Sequence, residues 1–254
     1  MKKIILLVGI SIFSMIVIMI LNNRQNNDVQ LVNDLISKKV AENKKLVIDD
    51  FIVYMPGSKK IKMYWKNKNG IPYTHFINLL NQTQNDMVFV TNGGIYSKEF
   101  TPEGLYIENG QIISELNLHS GEGNFYFNPN GVFYIENNLP YIIESRSFKY
   151  NQNILYAVQS GPLLIEHGLM NDQLKKTSKS LKIRSAVGLS KQNKLFFLMS
   201  KKEVSFYDFA QFALDHLDCD TLLFLDGTIS QMYFSADQQL PEQKHPFVTM
   251  IAIE

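Results

Sequence analysis

Cysteine is nearly missing from this chain of 254 residues, where Cys219 stands alone. That excludes an intramolecular disulfide framework and a multi-cysteine zinc or iron–sulfur centre. With no cysteine near the N-terminus, a lipoprotein anchor is excluded as well. Charge of one sign is also lacking: 25 Lys and Arg face 24 Asp and Glu, a formal net charge of +1. Without a dominant basic field, nucleic acid is not expected as a partner. With 45% hydrophobic residues the chain has the material for a core, enough for one sizeable domain or two small ones, and does not read as disordered.

Common catalytic signatures are missing too. Gly121-Glu122-Gly123 lacks the third glycine of a dinucleotide fingerprint and runs into an aromatic stretch instead of a helix. No Walker lysine follows a glycine loop, no serine has the G-x-S-x-G context, and there is no H-E-x-x-H pair. His75, His119, His167, His216 and His245 are scattered, so no local histidine metal site is visible.

What is present begins with one long apolar run. Met1-Lys2-Lys3 precedes an uncharged, mostly apolar stretch from Ile4 to Leu21, which at about 1.5 Å per residue spans about 27 Å as a helix. Positive charge ahead of the run keeps the N-terminus cytoplasmic and exports the remainder of the chain. A buried core helix rarely opens a chain with a lysine pair and no polar face. An uncleaved anchor is favoured over a cleavable signal peptide, since no convincing small-x-small site lies after the run. The expected layout is a signal-anchor or signal peptide over 1–24, a polar stalk over 25–46 with helical spacing at Val32, Leu35, Ile36 and Val40, and one domain over 47–254.

Within that domain, short alternating or apolar runs are separated by turn signals. Asn-Gly pairs fall at Asn69-Gly70, Asn92-Gly93, Asn109-Gly110 and Asn130-Gly131. The runs predict hairpins of 104–107 with 111–113, of 125–127 with 132–135, and one within 186–199. Ser205 as N-cap followed by Phe206, Phe209, Ala210, Ala213, Leu214 and Leu217 predicts a helix, which feeds a buried strand at 221–225 ending in Asp226. The class is α+β: a single domain of mixed, largely antiparallel β-sheet with a few packed helices, preceded by an N-terminal membrane segment. Lys175 to Arg184 reads as a solvated basic loop.

Four segments share one logic of strand, glycine turn and polar side chain: Val90–Gly94, Val158–Pro162, Ile183–Gly188 and Leu225–Ser230. Glycine after a buried strand lets the backbone turn sharply and approach a ligand. Sites are commonly assembled at such strand ends. Each segment alone also reads as a tight turn; together they supply Asn92, Gln159, Arg184 and Asp226.

In this order the segments resemble the phosphodiester glycosidase family, most closely its compact bacterial branch. The resemblance runs from about Phe89 to Ile253. It rests on Asn92-Gly93-Gly94, Pro102-Glu103-Gly104-Leu105, Gly123-Asn124-Phe125, Pro129-Asn130-Gly131-Val132-Phe133, Gln159-Ser160-Gly161-Pro162, Arg184-Ser185-Ala186-Val187-Gly188 and Asp226-Gly227-Thr228-Ile229-Ser230.

The resemblance implies a hydrolase that cuts a sugar from the phosphate of a phosphodiester; with the export expected from the apolar run, its expected substrates are cell-envelope or exopolysaccharide glycans outside the cytoplasm. Asp226 is expected to activate water or face the oxocarbenium-like centre. Arg184 is expected to grip phosphate, with Asn92 completing the catalytic set. Gly93, Gly94, Gln159, Ser160, Gly161, Asn124 and Ser230 are expected around the substrate, and Glu108 and Glu122 are candidates for a second carboxylate. No cofactor is expected; Asp226 and Glu108 are ligands a hard divalent cation accepts, but no loop has calcium-binding spacing. The competing reading is a non-catalytic surface module that binds glycan or phosphate and does not require Asp226.

Overall fold

The computed structural model describes residues 43–83, 87–237 and 239–254. The expected membrane segment and nearly all of the expected stalk lie outside these residues. Among the described residues no helix is long and apolar enough to cross a membrane.

The chain opens with β1 (Lys44–Ile48), β2 (Phe51–Met55), β3 (Ile61–Tyr64), helix α1 (Phe76–Gln82), β4 (Phe89–Asn92), β5 (Tyr106–Glu108) and β6 (Gln111–Ser114). It continues with β7 (Gly131–Glu136), β8 (Leu139–Glu144), β9 (Ile154–Ser160), β10 (Leu163–Glu166) and β11 (Leu169–Met170). Last come β12 (Ser185–Ser190), β13 (Leu195–Ser200), α2 (Phe206–His216), β14 (Cys219–Asp226), β15 (Met232–Phe234) and β16 (Met250–Ile253). The first strand begins inside the stretch read as stalk.

Three sheets result, of seven strands (β1-β2-β13-β12-β14-β10-β11), five (β6-β5-β9-β7-β8) and four (β15-β4-β16-β3). Their ladders are antiparallel. All three bury side chains in one core. Phe197 from the seven-stranded sheet lies 5.1 Å from the Phe89 ring of the four-stranded sheet and 6.3 Å from Phe133 of the five-stranded one. At roughly 1.5–3 kcal/mol for each large apolar side chain removed from water, this shared cluster holds the sheets together.

Local signals explain most of the elements. Asn109 and Gly110 both adopt positive φ, +52° and +78°, as a two-residue turn between β5 and β6 requires. Ser205 caps α2, its hydroxyl accepting from the Asp208 N–H at 3.0 Å, and Phe209, Ala210, Phe212 and Ala213 face the interior. The β12–β13 hairpin and the buried β14 form as their patterns predict.

One hairpin does not form. Residues 124–126 make a 3-10 turn in place of a strand, and β7 pairs with β8 and β9. The Tyr126 and Phe127 N–H groups close on the Gly123 and Asn124 carbonyls, while Pro129 has no N–H to give a ladder. The β7–β8 turn uses Asn137 and Asn138, both at positive φ, and was missed because no glycine marks it.

Candidate active site

Four strand ends from three sheets converge: Asn92 closes β4, Ser160 closes β9, Ser185 opens β12 and Asp226 closes β14. Ser185 stands opposite Asp226 in the β12–β14 ladder, where the register slips by a bulge before Ala186. Such a slip re-aims side chains at a strand end.

Asp226 is 9% exposed. Its Oδ1 accepts from the Thr228 N–H at 2.6 Å and the Ile229 N–H at 3.0 Å, so the turn after β14 folds back on its own carboxylate. Burial pushes the pKa of this group above the ordinary aspartate range, and the N–H groups of Thr228, Ile229 and Gly227 pull it partway back. Among the described residues it has no ion-pair partner. Tyr96 stands near enough that the Asp226 charge, after burial, raises its phenol pKa.

Around this carboxylate runs a network of neutral side chains. Ser230 Oγ donates to the Asp226 carbonyl at 2.6 Å and lies 3.1 Å from Ser185 Oγ. Ser185 Oγ in turn is 3.0 Å from Asn92 Nδ2 and 3.1 Å from Asn92 Oδ1. The Asn92 amide also donates to the Gly93 carbonyl and accepts from the Gln231 N–H at 3.3 Å. It is fully buried, and its bonds tie β4 to β12 and to the Asp226 turn. Ser160 Oγ donates to the Leu225 carbonyl at 3.1 Å and accepts from the Ile95 N–H, joining the ends of β9 and β14 to the Gly93–Gly94 turn. That turn tolerates no side chain at its second glycine. A Cβ on Gly94 would stand 2.8 Å from the Gln159 carbonyl oxygen. The Gly93 N–H donates to the Thr249 carbonyl at 2.7 Å and so already has an acceptor.

Two residues expected to face substrate are occupied by the fold itself. Gln159 is 1% exposed; its Oε1 accepts from the Leu105 and Asn117 N–H groups at 3.0 and 2.9 Å, and its Nε2 donates to the Asn117 carbonyl and to Ser145 Oγ. Arg184, also 1% exposed, donates from Nε to the Val204 carbonyl at 2.8 Å and from Nη2 to the Ser180 carbonyl at 2.7 Å. Its guanidinium stacks 3.7 Å over the Phe206 ring, and burial lowers its pKa to about 10. No carboxylate among the described residues pairs with it. Only Nη1 points toward the site's surroundings, 3.7 Å from where a Cβ on Gly227 would stand.

Asn124 is exposed at the start of the 3-10 turn, whose Phe125 is buried, and Glu122 beside it is exposed. Glu108 belongs to a separate aromatic group: its Oε2 accepts from Tyr106 OH at 2.9 Å and the Trp65 N–H at 3.2 Å. Burial raises its pKa, with those two donors opposing the rise. Among the described residues no group of three or more His, Cys, Asp or Glu could hold a metal ion. Ser185, Tyr96 and Gln231 were not singled out as site residues, although Ser185 stands inside the Arg184-Ser185 motif.

A family model described as phosphodiester glycosidase matches residues 85–254. The Escherichia coli K12 protein YigE, itself uncharacterised, is 44% identical over 201 residues, covering 78% of this chain and 79% of YigE. The catalytic domain of zebrafish N-acetylglucosamine-1-phosphodiester alpha-N-acetylglucosaminidase, solved in a form auto-inhibited by its pro-peptide, shares the fold. Its TM-score is 0.59 at 12% identity, covering 84% of this chain and 81% of that one.

Proposed function

We infer, from the premise that the chain belongs to the phosphodiester glycosidase family, that it hydrolyses a sugar joined through its anomeric carbon to a phosphodiester. The observation that carries this reading is Asp226: a buried carboxylate at a strand end, braced through one oxygen, flanked by neutral hydroxyls and paired with no cation among the described residues.

Phosphate is a leaving group whose negative charge is already stabilised, so its departure needs less protonation than that of a sugar alcohol. The demand falls on the other side of the anomeric carbon. Asp226 serves there either by taking a proton from the attacking water or by facing the positive charge that builds as the C1–O bond opens. The electrons of that bond leave with the phosphate oxygen, and the water oxygen ends on the sugar. Asn92, Ser185 and Ser230 hold the Asp226 turn in place, and Ser160 fixes the Gly93–Gly94 turn against it. Tyr96 closes the same neighbourhood.

The substrate fits an envelope or exopolysaccharide glycan, and the domain works outside the cytoplasm, tethered by the apolar run Ile4–Leu21 behind Lys2 and Lys3. Protease digestion of intact and lysed spheroplasts tests this placement: protection in intact spheroplasts would refute it. The chemistry is tested by hydrolysis in heavy-oxygen water. The label is expected in the released sugar; label in the phosphate would make the protein a phosphodiesterase and end the glycosidase reading.

A further inference from the structure

With Arg184 bound to two backbone carbonyls, the anionic part of a substrate needs another partner. A cleft of about 250 Å³ opens beside the Asp226 turn. Its floor is the 228–231 segment, which includes Ser230 of the site, and its wall is formed by Lys244, His245 and Phe247. This volume lies below the roughly 300–1,000 Å³ of a drug-sized site, which suits a phosphate with one small group better than a long oligosaccharide.

The wall is built rather than loose. Gln243 Nε2 donates to the Thr74 carbonyl at 2.7 Å and the His245 carbonyl at 2.9 Å, and its Oε1 accepts from the Phe76 N–H at the start of α1. Gln231 Nε2 donates to the Glu242 carbonyl at 2.6 Å, fastening the wall to the floor. The Phe247 N–H donates to the Thr74 carbonyl at 2.8 Å, and its ring is buried. The backbone that carries Lys244 is thus fixed on both sides.

Charge points the same way. Lys182 approaches the same turn, its Cβ 3.6 Å from the position a Cβ on Gly227 would take. Among the described residues, neither Lys182 nor Lys244 makes an ion pair. Lys182, Lys244 and Arg184 together outnumber the two carboxylates nearby, Asp226 and the exposed Glu242. Gln231 Oε1 is buried behind the cleft floor without a donor among the described residues.

We propose that this cleft is the phosphate subsite of the enzyme, with the Lys244 ammonium pairing with the phosphodiester anion. The proposal rests on the phosphodiester glycosidase reading and moves the anion contact from Arg184 to Lys244. A lysine suits the task as a mobile point charge with three donors.

The test is equilibrium binding of inorganic phosphate and of phenyl phosphate to the purified full chain, followed by phosphorus NMR titration. Lys244→Met is expected to weaken both about tenfold, and Glu242→Gln to tighten both two- to threefold. Lys191→Met, which removes an exposed lysine lying 3.5 Å from Asp218, is expected to change neither and reports the effect of net charge alone. No phosphate binding by the parent protein, or equal weakening by Lys244→Met and Lys191→Met, overturns the proposal. Because the readout is binding, the two readings fail separately. Heavy-oxygen label in the sugar with unaltered phosphate affinity in Lys244→Met sinks the subsite alone. Weakened affinity with label in the phosphate sinks the glycosidase assignment alone.

Discussion

Replacing Asp226 by Asn separates a working carboxylate from a structural one. The two side chains have the same shape, and the Asn Oδ1 can still accept from the Thr228 and Ile229 N–H groups that now meet Asp226 at 2.6 and 3.0 Å. The turn should therefore survive. What disappears is the charge and the basic oxygen. General acid–base groups contribute about 10²–10⁴ in rate, equivalent to about 3–5 kcal/mol of barrier, and Asp226→Asn is expected to lose kcat by that factor.

Stability should move the other way. A carboxyl whose folded pKa is raised favours the native state most when protonated. Its contribution is fully present below the ordinary aspartate value of about 3.9 and is lost as pH rises through the raised folded value. At neutral pH the native state bears the cost of a buried charge, so Asp226→Asn should match or exceed the parent's melting temperature. Steady-state kinetics and thermal unfolding at neutral pH measure both. The acid limb of kcat/KM, set above the ordinary aspartate range in the parent, should vanish from whatever activity remains. Turnover within a few-fold of the parent refutes the catalytic role; a lowered melting temperature refutes the claim that the carboxylate is not a structural brace.

Arg184→Met should destabilise the domain by about 2–4 kcal/mol, because it removes two charged donors, leaving the Ser180 carbonyl without its partner and the Val204 carbonyl with only the Lys182 N–H at 3.2 Å. Chemical denaturation measures this, and a change below about 0.5 kcal/mol would show that the guanidinium is not a brace. Gln159→Leu should cost a similar amount, since the Leu105 and Asn117 N–H groups both lose their acceptor; full stability with impaired turnover would return Gln159 to the substrate. Gly94→Ala should prevent close approach of the β4 and β9 ends, its Cβ meeting the Gln159 carbonyl oxygen at 2.8 Å. Soluble expression and melting temperature check that expectation, and a parent-like protein would contradict it.

Features governed by neighbours in sequence were legible from the chain alone. The Ser205 cap and apolar spacing of α2, the Asn109-Gly110 turn, the run that becomes β14 and the Asp226-Gly227 turn at its end all arise from local periodicity and turn chemistry. The ordered set of glycine turns likewise carried the family. Whether a polar strand-end side chain faces a cavity or the interior is not a local property. It depends on which carbonyls other parts of the chain bring near it, and only the packing of three sheets decided this. Arg184 and Gln159 were absorbed because distant backbone groups lay within their reach, whereas Asp226 was left without a cation among the described residues. The Lys244 wall could not be read from sequence at all, since an exposed lysine gains meaning only from the turn that a remote strand places beside it.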